Sequence, residues 1–403
     1  MRNILLVSLI YPLPTKENKG TSVCHFFTRE WVKMGYNVRA VHVNAVYPRP
    51  FYWIARLNAE RIAAKTGAVV YTKRLEQVEK YVMDDVPVMR IPVFKPIPHG
   101  KFSTYSIKKA VNAIVTECQQ DQFVPDVIIG HFPNPQIEML SMLKKTYPNA
   151  KNCIIMHGDT AIMTKVYGKR LSSLMKDIDM WGFRSNAILR EFEEATGKVA
   201  NPFMCFSGIP EVFLTKENKH TFNEPLHKFV YVGGLVDRKY PERVVDALYK
   251  AYPQKDFIIK YIGSGQLASE IEEKANYYGL SDQVVLLGRI PREQIISEYD
   301  NADCMVMISR GEAYGLVYLE AMARGCITIA SKNEGFDGVI VDGENGFLCE
   351  AGNAKELATI IARINSMTPE ERTRISENAI NTARTLTDEN AARIYIENVE
   401  SRI

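Results

Sequence analysis

Within Ile308 to Gly325, ISRGEAYGLVYLEAMARG, two carboxylates stand at a spacing that suggests chemistry: Glu312 and Glu320, with seven residues between them. The apolar run Cys304 to Ile308 reads as a buried strand and Ser-Arg-Gly as a turn. From Gly315 onward Leu, Val, Leu, Ala, Met and Ala sustain a helical pattern. The stretch is therefore a strand, a turn and a helix start. Free N–H groups at Gly315, Leu316 and Val317 would point into the turn, where Gly315 removes a Cβ that would hold a ligand away. A helix start of this kind suits a phosphate. The two carboxylates do not, but each can accept hydrogen bonds from hydroxyl groups. A diphosphate flanked by two polyols satisfies both requirements, and that describes a nucleotide sugar.

Other elements must bring partners to this stretch. Arg2 to Leu9 is a β-rich apolar run. A loop through Tyr11, Pro12, Pro14 and Lys19-Gly20 leads from it into an amphipathic helix over Ser22 to Met34, which Gly35 stops before a strand from Val38 to Val43. Asp126 to Gly130 and Cys153 to Met156 read as buried strands ending at His131 and at His157-Gly158-Asp159. In a doubly wound sheet the residues just past a strand's C-terminal end line the ligand crevice, which makes His157, and by the same reasoning His131, candidates to meet substrate. Asn201 to Leu226 is Pro-rich, polar and without periodicity, as suits a linker between domains. Beyond it, Phe229 to Val232 leads into GGLVDRKYPERVVDAL, Phe257 to Ile262 ends in Gly263-Ser264-Gly265, and Val284 to Leu287 ends in Gly288-Arg289-Ile290-Pro291.

Glu312, Gly315 and Glu320, with the following Ala-Met-Ala-x-Gly, closely resemble the Glu-x-seven-Glu motif of retaining glycosyltransferases of family four. The resemblance runs from the first strand to the last helix. It implies an α/β chain of GT-B type, with two Rossmann-like doubly wound domains facing a central cleft. The domains expected are an acceptor domain over residues 1–206, a nucleotide-sugar donor domain over 207–387, and a C-terminal helix over 388–403 returning to the first domain. IIMHGD resembles the family's strand-then-His-Gly element, which gives His157 to the transferred sugar. Gly20 stands where the family often pairs glycines near the donor phosphate, and WGFRSN from Trp181 to Asn186 resembles the last strand of the first domain. Family members clamp the diphosphate with Gly-Arg and, five residues on, Lys. Lys239 keeps its place here, but Gly234 occupies the position of the arginine, so the adjacent Arg238 is the expected substitute. Gly263 and the backbone at Ile290 resemble elements that sit against the nucleotide. EGFDG at Glu334 departs from the family's Gly-Gly-x-x-Glu.

The resemblance thus implies a retaining, hexosyltransferase-type enzyme with catalytic Glu312, His157 and Lys239. Donor contacts are expected from Gly20, Arg238, Lys239, Gly263, Ile290, Glu312, Gly315, Leu316, Val317 and Glu320. No metal and no cofactor are expected beyond the nucleotide sugar as co-substrate, since no His, Cys or carboxylate cluster has ligand spacing. By family frequency the donor is UDP-linked, the acceptor a hydroxyl of a glycan or lipid-linked molecule, and the setting surface polysaccharide assembly. The alternatives are a nucleotide-sugar epimerase of the same fold and a non-catalytic nucleotide-sugar-binding subunit.

Composition bounds the rest. With 403 residues, 46% hydrophobic, the chain can bury a large core and divide in two. Ile4 to Ile10 is too short for a signal-peptide core, and seven scattered cysteines without a CxxC pair suit a reducing cytoplasm. The net charge of +3 hides an asymmetry: residues 1–200 hold 28 Lys+Arg against 17 Asp+Glu (+11), and residues 201–403 hold 22 against 30 (−8). A basic first half, with the aromatic and basic stretch Ala45 to Lys80, suits peripheral contact with an anionic membrane at its inner face. No nucleic-acid partner is expected.

Overall fold

The computed structural model of the chain describes residues 2–14, 22–66, 70–98, 100–215, 220 and 222–402. They form two compact units. The first comprises 1–184, 188–206 and 388–403, and the second 185–187 and 207–387.

The first unit is built on an eight-stranded sheet: β1 (Asn3–Ser8), β2 (Asn37–Val46), β3 (Glu79–Met83), β4 (Val86–Phe94), β5 (Val127–His131), β6 (Lys151–Met156), β7 (Met180–Phe183) and β8 (Pro202–Met204). Their order is β3-β4-β2-β1-β5-β6-β7-β8. Only the β3–β4 hairpin is antiparallel. The central strands are apolar on both faces, as expected where helices cover both sides of a parallel sheet; β1, β5 and β6 are almost wholly buried. The resemblance made β7 the last strand. In the structure β8 pairs beyond it, inside the stretch read as linker; three residues are too few to show a strand period.

The helix Val23–Lys33 packs on this sheet, and the C-terminal helix Asp388–Glu400 packs on that helix in turn. Ala391, Ala392, Tyr395, Ile396 and Val399 form its buried stripe. The two alanines let the backbones approach, so that the fully buried Trp31 donates its indole N–H to the Ala392 carbonyl at 2.9 Å. Tyr395 meets Phe27 and Trp31 edge to face, at 5.0 and 5.1 Å between ring centroids.

The second unit holds β9 (Lys228–Val232), β10 (Ile258–Ile262), β11 (Val284–Gly288), β12 (Cys304–Val306), β13 (Ile327–Ser331) and β14 (Phe347–Cys349), all parallel, in the order β11-β10-β9-β12-β13-β14. Counted within the unit this is 3-2-1-4-5-6, the doubly wound order, whose direction reverses between β9 and β12. All seven cysteines are free and buried. Among the described residues no helix is long and apolar enough to cross a membrane.

Candidate active site

The reversal between β9 and β12 leaves a crevice outside the C-terminal ends of those two strands, because their following connections leave toward opposite faces of the sheet. The residues singled out in the second unit collect there. The chain leaving β9 turns through Gly233-Gly234 into a 3-10 turn, Asp237–Lys239. The chain leaving β12 carries Glu312. Lys239 Nζ lies 3.1 Å from Glu312 Oε2, with both side chains only about a seventh exposed (14% and 15%). Arg238 Nη1 is 3.9 Å from the same oxygen and 3.4 Å from the carbonyl oxygens of Arg310 and Gly311. A backbone bond from Arg310 N–H to the Arg238 carbonyl, 2.7 Å, pins the two loops together. Glu312 Oε2 is buried and, despite its ion pair, makes no hydrogen bond of good geometry. An acceptor oxygen of this kind beside two cations suits a ligand that carries both hydroxyl and phosphate groups.

The helix Leu316–Ala323 starts beside Glu312. Gly315 caps it at φ +85°, and a Cβ there would lie 2.5 Å from the Tyr318 ring. Gly315 is thus required by its own backbone and by Tyr318, not only by room for a ligand; Tyr318 in turn donates its hydroxyl to the Met307 carbonyl at 2.8 Å. Tyr318 N–H bonds to Gly315 O, whereas no protein acceptor takes the N–H groups of Gly315, Leu316 and Val317 among the described residues.

Glu320, on that helix, is 5% exposed and pairs with Arg292 at 2.5 Å. Burial pushes its carboxyl above the ordinary range, and the Arg292 guanidinium opposes the shift. Arg292 opens the helix that follows β11, and its guanidinium lies over the Phe213 ring. Nothing in PREQ marks it as a partner of a carboxylate 28 positions on, so sequence reasoning passed over it. Glu334 was passed over similarly, having been noted only as a departure from the family pattern. It accepts the Glu312 N–H at 3.1 Å and so fixes the backbone that carries Glu312. Its own carboxyl is raised by burial, against bonds from the Glu312 and Gly311 N–H groups.

Gly263 follows β10 at φ +146°, and a Cβ there would lie 1.9 Å from the Gly233 carbonyl oxygen. The first two loops of the unit therefore meet backbone to backbone. Ile290 is half-buried in the loop after β11, which is tied to the β10 loop by Arg289 Nε donating to Ser264 Oγ at 2.8 Å. At Gly234 an added Cβ would meet only ordinary van der Waals contacts, with the Ser264 carbonyl oxygen at 3.9 Å and the Val236 methyls at 4.0 Å.

In the first unit, His131 ends β5 and His157 follows β6. Their rings meet at 3.0 Å, Nδ1 of His131 to Nε2 of His157. Phe132, held at φ +62°, stacks on His157 with ring centroids 4.0 Å apart. Burial and the charge of Arg184 lower the basicity of both imidazoles, that of His131 to about 3, while His157 is lowered by His131 as well. Gly20 lies outside the described residues. No group of three or more His, Cys, Asp or Glu placed to hold a metal occurs among the described residues.

Residues 212–382 match the family model of glycosyl transferases group 1. An uncharacterized glycosyltransferase of Methanocaldococcus jannaschii is 28% identical over 235 residues, 58% of this chain and 63% of that protein. A D-inositol 3-phosphate glycosyltransferase of Corynebacterium diphtheriae is 32% identical over 145 residues, 34% of each chain. The matched stretches thus span less than two thirds of either relative. The fold is shared over the full length with Anabaena HepE solved in complex with UDP, at TM-score 0.68 and 15% identity, covering 100% of both chains. It is shared equally with a sucrose-phosphate synthase from Thermosynechococcus elongatus, at TM-score 0.66 and 16% identity, covering 100% of this chain and 99% of that one. Together these likenesses support a glycosyltransferase of group 1 built on the GT-B fold.

Proposed function

We propose that the chain transfers a sugar from a UDP-linked donor, with retention of configuration, to a hydroxyl of a glycan or lipid-linked acceptor during surface polysaccharide assembly. The observation that carries this reading is the Glu312–Lys239 pair, set at the β9/β12 switch point beside three N–H groups with no protein acceptor among the described residues. Lys239 and those N–H groups would take the charge that appears on the departing diphosphate, which is usually the largest catalytic term. Arg238, within 3.9 Å of Glu312, would supply the second cation that Gly234 cannot. Glu312 would accept bonds from the transferred sugar and Glu320 from the ribose, while Gly263 and Ile290 would lie against the nucleotide. The bond from the anomeric carbon to the diphosphate oxygen breaks, that oxygen takes the acceptor hydroxyl's proton, and the new C–O bond forms on the same face. Solved structures of the same fold in complex with UDP and glucose and with UDP-2-fluoro glucose support the choice of donor.

A screen of UDP-, GDP- and ADP-sugars tests the reading, first by thermal shift and then by product analysis with and without acceptor. A raised melting temperature with UDP-sugars and turnover that depends on an acceptor is the expected result. Conversion of the donor alone would make the chain an epimerase. Binding without transfer or slow donor hydrolysis would make it a binding subunit.

Arg292 gives a pH test. The Glu320 carboxyl is raised by burial, so a carboxylate that must accept hydroxyl bonds is protonated as pH falls through that raised value, and UDP affinity declines on the acid side. Because Arg292 opposes the shift, Arg292→Gln should move the decline to higher pH. Calorimetric UDP titrations across pH would show it, and an unmoved decline would remove Glu320 from nucleotide recognition.

The proposal extends to a peripheral place on the inner face of an anionic membrane. On the helix Arg49–Thr66, Tyr52 and Ala55 are buried while Trp53, Ile54 and Leu57 are 68%, 57% and 85% exposed beside the exposed Arg49 and Arg56. Exposed rings and aliphatics among cations suit a headgroup interface. In flotation with phosphatidylglycerol vesicles, Trp53→Ser with Leu57→Ser should lower the bound fraction severalfold. Equal flotation would discard the contact.

A further inference from the structure

Tyr395 of the C-terminal helix is buried to 1% exposure, and its hydroxyl lies 3.1 Å from His131 Nε2, the one hydrogen-bond partner it has among the described residues. On the other side of the same ring, His131 Nδ1 lies 3.0 Å from His157 Nε2. Three groups, from the C-terminal helix, the end of β5 and the end of β6, therefore form one chain of hydrogen bonds inside the first unit. The register of β5 on β6, with His131 opposite Ile155, puts the two histidines at the same end of adjacent strands.

The direction of this chain follows from counting protons. A phenol can donate or accept, and a neutral imidazole carries its hydrogen on one nitrogen only. If His131 carried its hydrogen on Nε2, that hydrogen would go to the Tyr395 oxygen and the phenolic hydrogen would be left without an acceptor in a buried site, a costly arrangement. If Tyr395 donates to a bare Nε2, every group is satisfied. His131 then carries its hydrogen on Nδ1 and donates it to a bare His157 Nε2, so His157 carries its own hydrogen on Nδ1. Burial and the nearby Arg184, whose Nη1 donates to the Cys205 carbonyl at 2.8 Å, keep both rings neutral, so a protonated imidazolium does not disturb the count. Phe132, stacked on His157, holds the plane of the ring.

We infer that Tyr395 and His131 are positioning residues that fix the tautomer of His157, so that it presents Nδ1–H as a hydrogen-bond donor to a hydroxyl oxygen of the sugar substrate. The sugar contact rests on the transfer reaction proposed above; the tautomer does not. A corollary is that His157 is not a general base. Its one ring lone pair is committed to His131, and taking up a proton there would break the chain back to the C-terminal helix.

Nitrogen-15 NMR of protein labelled at histidine reads the tautomers directly. His157 protonated on Nδ1 and bare on Nε2 is expected in the wild type. Tyr395→Phe keeps the ring against Phe27 and Trp31 but removes the proton that orders the chain, so mixed tautomers are expected at both histidines. His131→Gln, whose amide can accept from Tyr395 and donate to His157, should retain the wild-type state of His157, and His131→Leu should lose it. With the UDP-sugar, Tyr395→Phe should lower kcat/KM for donor about tenfold, with the acceptor KM unchanged. A wild-type His157 protonated on Nε2, or a His157 tautomer unchanged in Tyr395→Phe, would overturn the assignment. Absence of transfer with every donor, the tautomers being as stated, would count against the sugar reaction and leave the chain of hydrogen bonds standing.

Discussion

Lys239→Ala is expected to lower kcat about a hundredfold or more, the size of effect seen when one group that stabilises developing charge is removed from a preorganised site. Lys239 Nζ is held by Glu312 at 3.1 Å and by the Met307 sulfur at 3.7 Å, so little reorganisation is needed when a diphosphate arrives. The same substitution also affects folding, since it leaves Glu312 with only Arg238, at 3.9 Å, for compensation. Breaking a fully buried ion pair costs about 3–5 kcal/mol. Here both side chains keep some exposure and a second cation remains, so about 1–2 kcal/mol is expected. The two effects separate in the double variant Lys239→Met, Glu312→Gln. It removes both charges and should recover most of the lost melting temperature while remaining as slow as the single variant or slower. Turnover near wild type in Lys239→Ala would take Lys239 out of the mechanism.

The largest loss of stability is expected from Gly263→Ala. Its φ of +146° lies where side chains are strained, and the added Cβ would stand 1.9 Å from the Gly233 carbonyl oxygen. That oxygen belongs to the backbone, not to the end of a flexible side chain, so the loop after β9 must move as a whole. Gly233 N–H is bonded to Ile262 O and Gly263 N–H to Gly288 O, at 2.9 and 2.8 Å, so the displacement would strain three neighbouring strand ends. A loss of about 3 kcal/mol or more is expected in urea unfolding, with UDP affinity falling as well because the moved loop carries Arg238 and Lys239. A variant with wild-type stability would show that the loops yield more readily than their backbone bonds imply.

The doubly wound pattern was legible because parallel strands covered on both faces read as near-continuous apolar runs, as Phe229 to Val232 and Cys304 to Val306 do, although Lys260 interrupts the run that ends at Ile262. The resemblance gave Lys239 to the diphosphate and Glu312 to the transferred sugar, but not their direct contact, which the structure puts at 3.1 Å. What stayed hidden were partners fixed by packing over long separations. Arg292 reaches Glu320 from the loop of another strand, Glu334 reaches back 22 positions to the Glu312 N–H, and Tyr395 reaches His131 across 264. No local pattern encodes such pairs; an arginine opening a helix or a tyrosine in an apolar stripe reads as solvated charge or as core. Gly315 carries more than its missing Cβ suggested: its φ of +85° and the Tyr318 ring, 2.5 Å from where a Cβ would stand, call for glycine as well.

The account depends on where the second unit holds an activated sugar, and a crystal structure with a non-transferable UDP-sugar tests that directly. The diphosphate is expected against Lys239 and the N–H groups of Gly315, Leu316 and Val317, with the ribose on Glu320 and the sugar on Glu312. A UDP-sugar seated with its diphosphate away from Lys239 and the start of that helix would contradict the account.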